Sequence, residues 1–207
     1  MRVILFDMMD TLIRDPYHSV LDRLLPESHT REEYISWRER PAFEEFERGE
    51  ITETEYFQRF YKSNLPDHLR ETYPRPEKLK KELLRTVSFL PGLEEIIGWL
   101  SGLEGLRLGL ASNYSFWYQE IFRKKKTIPD SFQFYFFSCE MGVRKPETGY
   151  YDTIEESLKK AVGEIDSILF IDDREVNLAP ARNRGWKVHR MTDSASLRPA
   201  LEEFLKS

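Results

Sequence analysis

The sequence has only one cysteine, Cys139, among its 207 residues. A single cysteine cannot form an intramolecular disulfide, so we expect a reducing environment in which Cys139 packs at the end of a strand. No apolar run approaches the roughly 18 residues that suggest a membrane span, and no signal-peptide pattern precedes the first apolar segment. The sequence therefore predicts a cytoplasmic protein that does not bind a membrane.

An excess of basic residues is also missing. Lysine and arginine together number 31 against 36 aspartates and glutamates, which gives a net charge of -5. This balance leaves no surplus of cations to displace counterions from a nucleic-acid backbone. Nucleic acid is therefore not an expected partner, and the four histidines, which are scattered without metal-ligand spacing, predict no histidine metal site.

Short apolar segments alternate with helical patterns along much of the chain. The helical patterns place apolar residues three and four positions apart, as in Leu93, Ile96, Ile97 and Leu100. Such alternation is typical of a parallel sheet covered by helices, and the chain is long enough for one core with a small appendage. We therefore predict an α/β fold with a Rossmann-like parallel sheet core. Its predicted strands are residues 3–6, 106–111, 134–138, 168–171 and 187–189.

The segment from residue 16 to residue 87 interrupts this alternation. It is rich in Glu, Arg, Tyr and Phe at helical spacing and has no clear β-branched run. Thr52 and Glu55 form a capping-box pattern that predicts the start of a helix, and Gly49 is expected to end the helix before it. We therefore predict a small α-helical cap at residues 16–87, inserted into a core of residues 1–15 and 88–207.

Acidic and polar side chains follow the first two of these strands. Asp7 comes directly after the first strand, and open parallel sheets bind ligands outside the carboxyl ends of their strands. An aspartate there either attacks phosphorus to form an aspartyl-phosphate or simply caps a turn. Ser112 and Asn113 end the second strand, before a helical pattern at residues 114–123. Such residues bind anions at a helix N-terminus, and they are also ordinary helix caps.

Two adjacent carboxylates, Asp172 and Asp173, end the fourth strand. Their mutual repulsion is costly without a cation. Mg²⁺ prefers hard oxygen ligands and typically takes one or two carboxylates together with water and substrate phosphate. Magnesium is therefore the cofactor that we expect at this place.

Together with a Gly-Val-Arg-Lys-Pro segment that contains Lys145, these features resemble, in order and spacing, the four motifs of the haloacid dehalogenase-like hydrolase superfamily. The segment from Asp172 through Arg182 is also similar to the N-terminal phosphatase domain of soluble epoxide hydrolases, as is the Gly-Glu-Ile-Thr phrase at residues 49–52. The resemblance implies that Asp7 is the nucleophile. It also implies that Lys145 lies beside Asp7 and the bound phosphate.

The same resemblance implies two sets of binding groups. The groups that bind the phosphate of a small phosphorylated substrate would come from Met8, Ser112, Asn113 and Lys145. The magnesium site would use Asp7, the backbone carbonyl of Met9 and Asp173, with Asp172 in support. The oligomeric state is expected to be a monomer or a homodimer.

At one position the chain departs from the family pattern. Met9 stands where the D-x-D-x-T motif has its second aspartate, which in family phosphatases protonates the leaving oxygen and then activates water. General acid–base help of this kind is worth about 10²- to 10⁴-fold in rate. Asp10 or a residue of the cap is a candidate substitute, although Asp10 also fits a turn position where the family usually has glycine.

Three functions are compatible with Met9. The first is a magnesium-dependent phosphatase that is slow, prefers good leaving groups or has a substitute acid. The second is a 2-haloacid dehalogenase, which needs no second acid, and the third is a weak or silent phosphate-binding protein. The pair of Asp172 and Asp173 favours phosphoryl transfer, because relatives that cleave carbon–halogen bonds work without metal and do not keep this pair.

Overall fold

A computed structural model of the protein describes residues 1–206, and its centre is a sheet of five parallel strands. The strands lie in the order β3-β2-β1-β4-β5. They are β1 Arg2–Phe6, β2 Leu106–Ser112, β3 Phe134–Phe137, β4 Ser167–Asp172 and β5 Lys187–Arg190. All five predicted strands are present, which confirms the predicted α/β fold.

Helices connect the strands and cover both faces of the sheet. They are α1 Tyr17–Leu24, α2 Arg31–Ser36, α3 Arg40–Glu47, α4 Glu53–Gln58, α5 Asp67–Thr72, α6 Pro76–Thr86, α7 Leu93–Ser101, α8 Tyr118–Lys124, α9 Thr127–Ser131, α10 Ser138–Met141, α11 Thr148–Val162, α12 Glu175–Asn183 and α13 Ser194–Lys206. Within residues 1–206, none of these helices has the length and apolar character needed to cross a membrane.

The alternation of side chains along β1 explains why the sheet has two hydrophobic faces. Ile4 and Phe6 pack into one cluster with residues of α7, α8 and α13. Val3 and Leu5 point to the opposite face and pack with residues of α11 and α12. Because helices cover both faces, β1 is a continuous apolar run, as is usual for a strand inside a parallel sheet.

Six helices, α1 to α6, lie between β1 and α7, and we call residues 17–86 the helical insertion. They have a hydrophobic cluster of their own, which includes the fully or almost fully buried Tyr34, Phe46 and Phe60. The predicted capping box is present, since the Thr52 hydroxyl accepts from the N–H of Glu55 and the Glu55 carboxylate accepts from the N–H of Thr52. The division into a cap at residues 16–87 and a core stays a prediction.

The helical insertion contacts the core beside α10. The Ser138 hydroxyl donates to the carbonyl oxygen of Glu47 at 2.6 Å. Gly49 follows with a φ of +72°, and a Cβ added to it would lie only 2.2 Å from the carbonyl oxygen of Cys139. A residue with a side chain meets both a left-handed backbone and a backbone clash at this position, so the contact requires glycine.

We predict that Gly49→Ala destabilises the protein by at least about 2 kcal/mol, because the left-handed conformation alone costs about 1–2 kcal/mol. Gly98→Ala is the matched control, since Gly98 lies within α7 and its added Cβ would meet nothing within 4 Å. It should stabilise by about 0.5–1 kcal/mol through helix propensity. Urea unfolding of both variants measures the difference, and equal effects would contradict the close contact at Gly49.

Candidate active site

The strand register brings the ends of β1, β2 and β4 to one edge of the sheet. Phe6 is the last residue of β1 and pairs with Ile171 of β4. Asp7 therefore lies between Ala111 and Asp172, and its N–H donates to the carbonyl of Ile171 at 2.8 Å. This is the carboxyl edge of the sheet, where open α/β folds bind their ligands.

The side chain of Lys145 connects the ends of three strands at the carboxyl edge of the sheet. Its Nζ donates to Asp7 Oδ1 at 2.9 Å, to Asp172 Oδ2 at 2.6 Å and to the carbonyl of Ala111 at 2.7 Å. The ammonium group has three N–H donors, so all three are used. Burial by itself would lower the pKa of Lys145, but the charges of Asp7 and Asp172 outweigh burial and raise it. Lys145 therefore stays a cation in an almost completely buried place.

The side chain of Asn113 fixes the backbone of Lys145. Its amide nitrogen donates to the Lys145 carbonyl at 2.8 Å, and its amide oxygen accepts from the Lys145 N–H at 2.8 Å. The sequence assigned Asn113 to phosphate binding alone, so this reciprocal pair was missed. The pair gives the side chain a positioning role and leaves phosphate binding to the backbone N–H of Asn113.

Ser112 is buried, and its hydroxyl acts to lower the pKa of Asp7, against the larger effect of burial. The prediction that Ser112 and Asn113 directly precede a helix is wrong, because α8 begins only at Tyr118. The reason lies at Tyr114, whose N–H donates to the Ser138 hydroxyl at 3.0 Å. This bond ties the segment after β2 to α10, so no helix dipole acts at Ser112.

Asp172 is completely buried and uses both of its carboxylate oxygens. Oδ1 accepts from the N–H of Arg174 at 2.8 Å, and the amide nitrogen of Asn177 lies 3.0 and 3.1 Å from the two oxygens. The hydroxyl of Tyr151 in turn donates to the carbonyl of Asn177 at 2.6 Å. With Lys145 on Oδ2, these bonds leave Asp172 better placed to support the site than to act as an open ligand.

Asp7, Asp172 and Asp173 together can hold a metal ion. Each offers a carboxylate oxygen, and these oxygens all lie within 4.8 Å of one another. The cluster contains three carboxylates, and the ammonium of Lys145 pairs with two of them, so the site has a formal excess of two negative charges, which suits a divalent cation with hard oxygen ligands. Burial and the charges of Asp7 and Asp172 raise the pKa of Asp173 to about 6.

The pKa of Asp7 is also raised. Burial is the largest cause, the ammonium of Lys145 opposes it, and the charge of Asp172 adds to it. A cation bound between these carboxylates would favour their ionised forms. The donor set and its uncompensated charge therefore both fit Mg²⁺.

The two methionines after Asp7 have different surroundings. The side chain of Met8 is completely buried in the hydrophobic cluster, and its carbonyl accepts from the N–H groups of Leu12 and Ile13. Its predicted part in phosphate binding therefore falls to its backbone N–H. The side chain of Met9 is partly buried against the same cluster, and among residues 1–206 its carbonyl accepts no hydrogen bond, which leaves that oxygen available to a metal.

Asp10 occupies a turn. Its φ is +51°, which makes it the one residue besides glycine in the described chain with a left-handed backbone, a conformation that aspartate tolerates better than most residues. Its Oδ1 accepts from the N–H of Asp15 at 2.9 Å. These two features are those of a turn residue, and one of its carboxylate oxygens is already used.

Glu47, at the end of α3, is a buried carboxyl group that sequence analysis did not single out. Its Oε2 lies 2.7 Å from Nη2 of Arg144, the residue before Lys145, but neither Oε2 nor the Arg144 Nε makes a hydrogen bond of good geometry within residues 1–206. Burial therefore outweighs the guanidinium charge and raises the pKa of Glu47 to about 7, and the charge of Asp7 contributes to the rise. A sequence pattern could have indicated this burial. Glu47 directly follows Phe46 and lies four residues after Phe43, so it falls on the apolar face of the helix.

A surface cavity of about 430 Å³ lies where the helical insertion meets α8. Phe46, Trp117 and Lys80 are among its lining residues. Lys80 is paired there with Glu53 at 2.7 Å and with Glu120 at 2.6 Å. None of the predicted site residues lines this cavity, so it is separate from the carboxylate cluster.

Comparison with known sequences points to one family. The family model of haloacid dehalogenase-like hydrolases matches residues 1–185. Among curated proteins, the chloroplast flavin mononucleotide hydrolase 1 of Arabidopsis thaliana is 28% identical over 176 residues, which are 85% of this chain and 66% of that protein. The chain thus spans slightly less than two thirds of the length of this relative.

Solved structures share the whole fold. A haloacid dehalogenase-like hydrolase from Porphyromonas gingivalis has a TM-score of 0.68 at 19% identity, and the match covers 100% of this chain and 98% of that chain. An enzyme of the same family from Bacteroides thetaiotaomicron, in complex with magnesium and inorganic phosphate, has a TM-score of 0.66 at 20% identity over 92% of this chain and 93% of that chain. At these identities the likeness establishes the fold alone.

Proposed function

The chain belongs to the haloacid dehalogenase-like hydrolase family, and we propose that it is a magnesium-dependent phosphatase of a small phosphorylated molecule. The observation that carries the proposal is the cluster of Asp7, Asp172 and Asp173 around the single ammonium of Lys145. A nucleophile, a phosphate-binding cation and a divalent-metal site within one cluster are the parts that phosphoryl transfer needs. The Arabidopsis relative is named for the hydrolysis of a phosphate ester, and the Bacteroides structure contains magnesium and phosphate, which supports the same proposal.

The proposed reaction has two steps at Asp7. Its carboxylate oxygen attacks phosphorus, the bond from phosphorus to the leaving oxygen breaks, and that oxygen takes up a proton. Water then attacks the aspartyl-phosphate, which releases inorganic phosphate and restores the carboxylate. Dividing one difficult hydrolysis in this way gives two easier steps.

The phosphoryl oxygens would be bound by Lys145, by the Ser112 hydroxyl and by the backbone N–H groups of Met8 and Asn113. Ser112 is the last residue of β2, and Asn113 and Met8 lie within two residues of a strand end. Lys145 is fixed to the end of β2 by its bonds to Asn113. Donors that are fixed before the substrate arrives need no reorganisation during the reaction. The arrangement therefore favours the charge that develops on the transferring phosphoryl group.

Mg²⁺ would be held by Asp7, the Met9 carbonyl and Asp173, with Asp172 in support. When bound, it would supply Lewis-acid stabilisation of the phosphoryl group. Asp172 contributes by holding Lys145 in place, since it accepts the 2.6 Å hydrogen bond from the ammonium group. The backbone carbonyl of Met9 serves as a ligand whatever the side chain, so the replacement of the second aspartate leaves this part of the site intact.

The remaining question is which group protonates the leaving oxygen in place of the missing aspartate. We propose Glu47, because its pKa of about 7 leaves a large protonated fraction at neutral pH and because it contacts Arg144, the residue next to the lysine that pairs with Asp7. Asp10 is the second candidate from the sequence. Its turn conformation and its bond to Asp15 favour a structural role.

A 2-haloacid dehalogenase is the alternative that Met9 favours. That reaction requires no acid at position 9. However, the carboxylate of Asp173 forms no ion pair among residues 1–206, and without a metal it would have no function in the site. A protein that binds magnesium and phosphate without turnover is the other alternative. The experiments below separate all three functions.

We expect the purified protein to hydrolyse p-nitrophenyl phosphate or acetyl phosphate with Mg²⁺ and to lose this activity with a chelator. Asp7→Asn should abolish it, because the amide cannot attack phosphorus, while Asp22→Asn, an exposed aspartate of the helical insertion, should leave it unchanged. Steady-state rates measure both. Activity without magnesium, or none on any phosphate ester, would reject the phosphatase, and chloride release from a 2-haloacid would establish the dehalogenase.

A second experiment identifies the proton donor. If Glu47 protonates the leaving group, Glu47→Gln should slow an alkyl phosphate by about 10²- to 10⁴-fold and p-nitrophenyl phosphate far less, because p-nitrophenolate leaves without a proton. Asp10→Asn is the comparison and should affect both esters equally. The opposite pattern, with a selective loss in Asp10→Asn, would assign the role to Asp10.

A further inference from the structure

Arg38, in the helical insertion just after α2, is a cation without a carboxylate partner. It is only partly exposed, and among residues 1–206 no aspartate or glutamate lies within ion-pair distance of its guanidinium. Other arginines of the same insertion are paired: Arg40 with Glu44 at 2.9 Å, and Arg59 with Glu45 at 2.5 Å. A poorly solvated guanidinium that lacks an anion is unfavourable unless something else compensates its charge.

The surroundings of Arg38 fix its side chain. Its guanidinium carbon lies 3.4 Å from the ring centroid of Phe60, its Nε donates to the Phe60 carbonyl at 3.4 Å, and its backbone pairs with Tyr61. Nη1 donates to the hydroxyl of Tyr17 at 3.0 Å, and Nη2 donates to the hydroxyl of Tyr56. These bonds use three of the five guanidinium N–H groups, so one remains on each terminal nitrogen.

The tyrosines around Arg38 add further donors. Tyr17 and Tyr56 accept from Arg38 through their hydroxyl oxygens, and within the described chain no carbonyl or carboxylate accepts a hydrogen bond from either hydroxyl. The hydroxyl of Tyr34 is buried nearby and has no hydrogen-bond partner among residues 1–206. Among residues 1–206 the cluster thus offers N–H and O–H donors beside a positive charge, and its acceptors are all neutral oxygens, so an oxyanion would complement it.

Two connections join this cluster to segments that bear proposed catalytic residues. The N–H of Tyr17 donates to Asp15 Oδ1 at 2.9 Å, and the N–H of Asp15 donates to Asp10 Oδ1 at 2.9 Å, so Tyr17 is tied to the turn that follows Asp7. On the other side, the ring of Tyr56 stacks on Phe46 with the ring centroids 4.5 Å apart, and Phe46 directly precedes Glu47. Arg38 is therefore joined to the surroundings of the nucleophile through both of its tyrosine partners.

We propose that Arg38, Tyr17 and Tyr56 form a subsite for a second oxyanion of the substrate, a carboxylate or a phosphate carried by the leaving group. The inference rests on the proposed function and deepens it, because it names the class of substrate: a phosphate ester with another anionic group. A bound substrate would supply the anionic acceptor that Arg38 lacks among residues 1–206. A preference for a second anionic group would also distinguish this chain from a hydrolase of flavin mononucleotide. The leaving group of that substrate is riboflavin, which has no second anionic group.

The test compares esters that differ only in the second anion. 2-Phosphoglycolate is paired with ethyl phosphate, and the bisphosphate of propane-1,3-diol is paired with its monophosphate. In at least one pair we expect a higher kcat/KM for the member that carries the second anionic group. The pair that shows this preference tells whether the subsite binds a carboxylate or a phosphate. Arg38→Gln should reduce that preference by about 10- to 100-fold through KM, the value of one charge-assisted contact.

Matched variants separate binding from folding. Tyr17→Phe keeps the ring and removes the hydroxyl, so it should weaken the same preference less than Arg38→Gln does. Arg59→Gln removes a paired surface arginine of the insertion and should leave the preference unchanged. Equal rates for the members of both pairs, or an equal loss on all esters in Arg38→Gln with a lowered Tm, would overturn the subsite and leave Arg38 a structural residue.

Calorimetry with the Asp7→Asn variant distinguishes failure of the subsite from failure of the proposed function. This variant should bind the ester with two anionic groups more tightly than its partner with one, and adding Arg38→Gln should remove the difference. If the wild type hydrolyses no ester but this difference in Kd is found, the phosphatase proposal fails and the anion subsite stands. If hydrolysis occurs without any difference in Kd, the subsite fails and the phosphatase stands.

Discussion

The ammonium group of Lys145 forms ion pairs with two buried carboxylates at once, and the geometry at the carboxyl edge of the sheet depends on this interaction. Without it, Asp7 and Asp172 would be buried within a few ångströms of each other with no cation between them, a loss of the kind that costs about 3–5 kcal/mol for one broken buried pair. Lys145 reaches this place because Asn113 bonds to both polar groups of its backbone. The ends of β1, β2 and β4 and the loop before α11 are thereby tied into one unit.

The loop that presents Lys145 also contacts the helical insertion. Arg144 precedes Lys145 and lies against Glu47 of α3, and Glu147 of the same loop pairs with Arg48 at 2.6 Å. The segment from residue 144 to residue 147 therefore places the Lys145 ammonium in the core and also contacts the end of α3. This shared position explains why a carboxyl group from the insertion, Glu47, lies beside the loop whose lysine pairs with Asp7.

Sequence patterns were sufficient for the parts of the structure that local chemistry determines. Apolar runs predicted all five strands, and the spacing of Thr52 and Glu55 predicted a helix start that the structure confirms. The start of α8 was predicted too early, because the hydroxyl of Ser138 binds the N–H of Tyr114, and a bond between residues 24 positions apart leaves no local pattern. The division between core and cap stays a prediction.

The surroundings of Glu47 and Arg38 were not predictable for a related reason. Charged residues on a helical segment normally face water, and only the folded chain shows that these two are withdrawn from it. Arg38 meets tyrosines 21 and 18 positions away in sequence, and Glu47 meets Arg144 across the boundary between insertion and core. The acidic residues of the site were easier to predict because each ends a strand or directly follows one, at the edge where open α/β sheets bind their ligands.

The central claim is that the family machinery is intact around Asp7 and that only the acid at position 9 has been replaced, with Glu47 in its role. The most direct measurement is the Mg²⁺-dependent hydrolysis of an alkyl phosphate by Glu47→Gln with and without the added substitution Met9→Asp. The account predicts that Met9→Asp restores about 10²- to 10⁴-fold in rate in the Glu47→Gln protein and much less in the wild type. No restoration in a folded double variant, or an equal gain in both backgrounds, would contradict it.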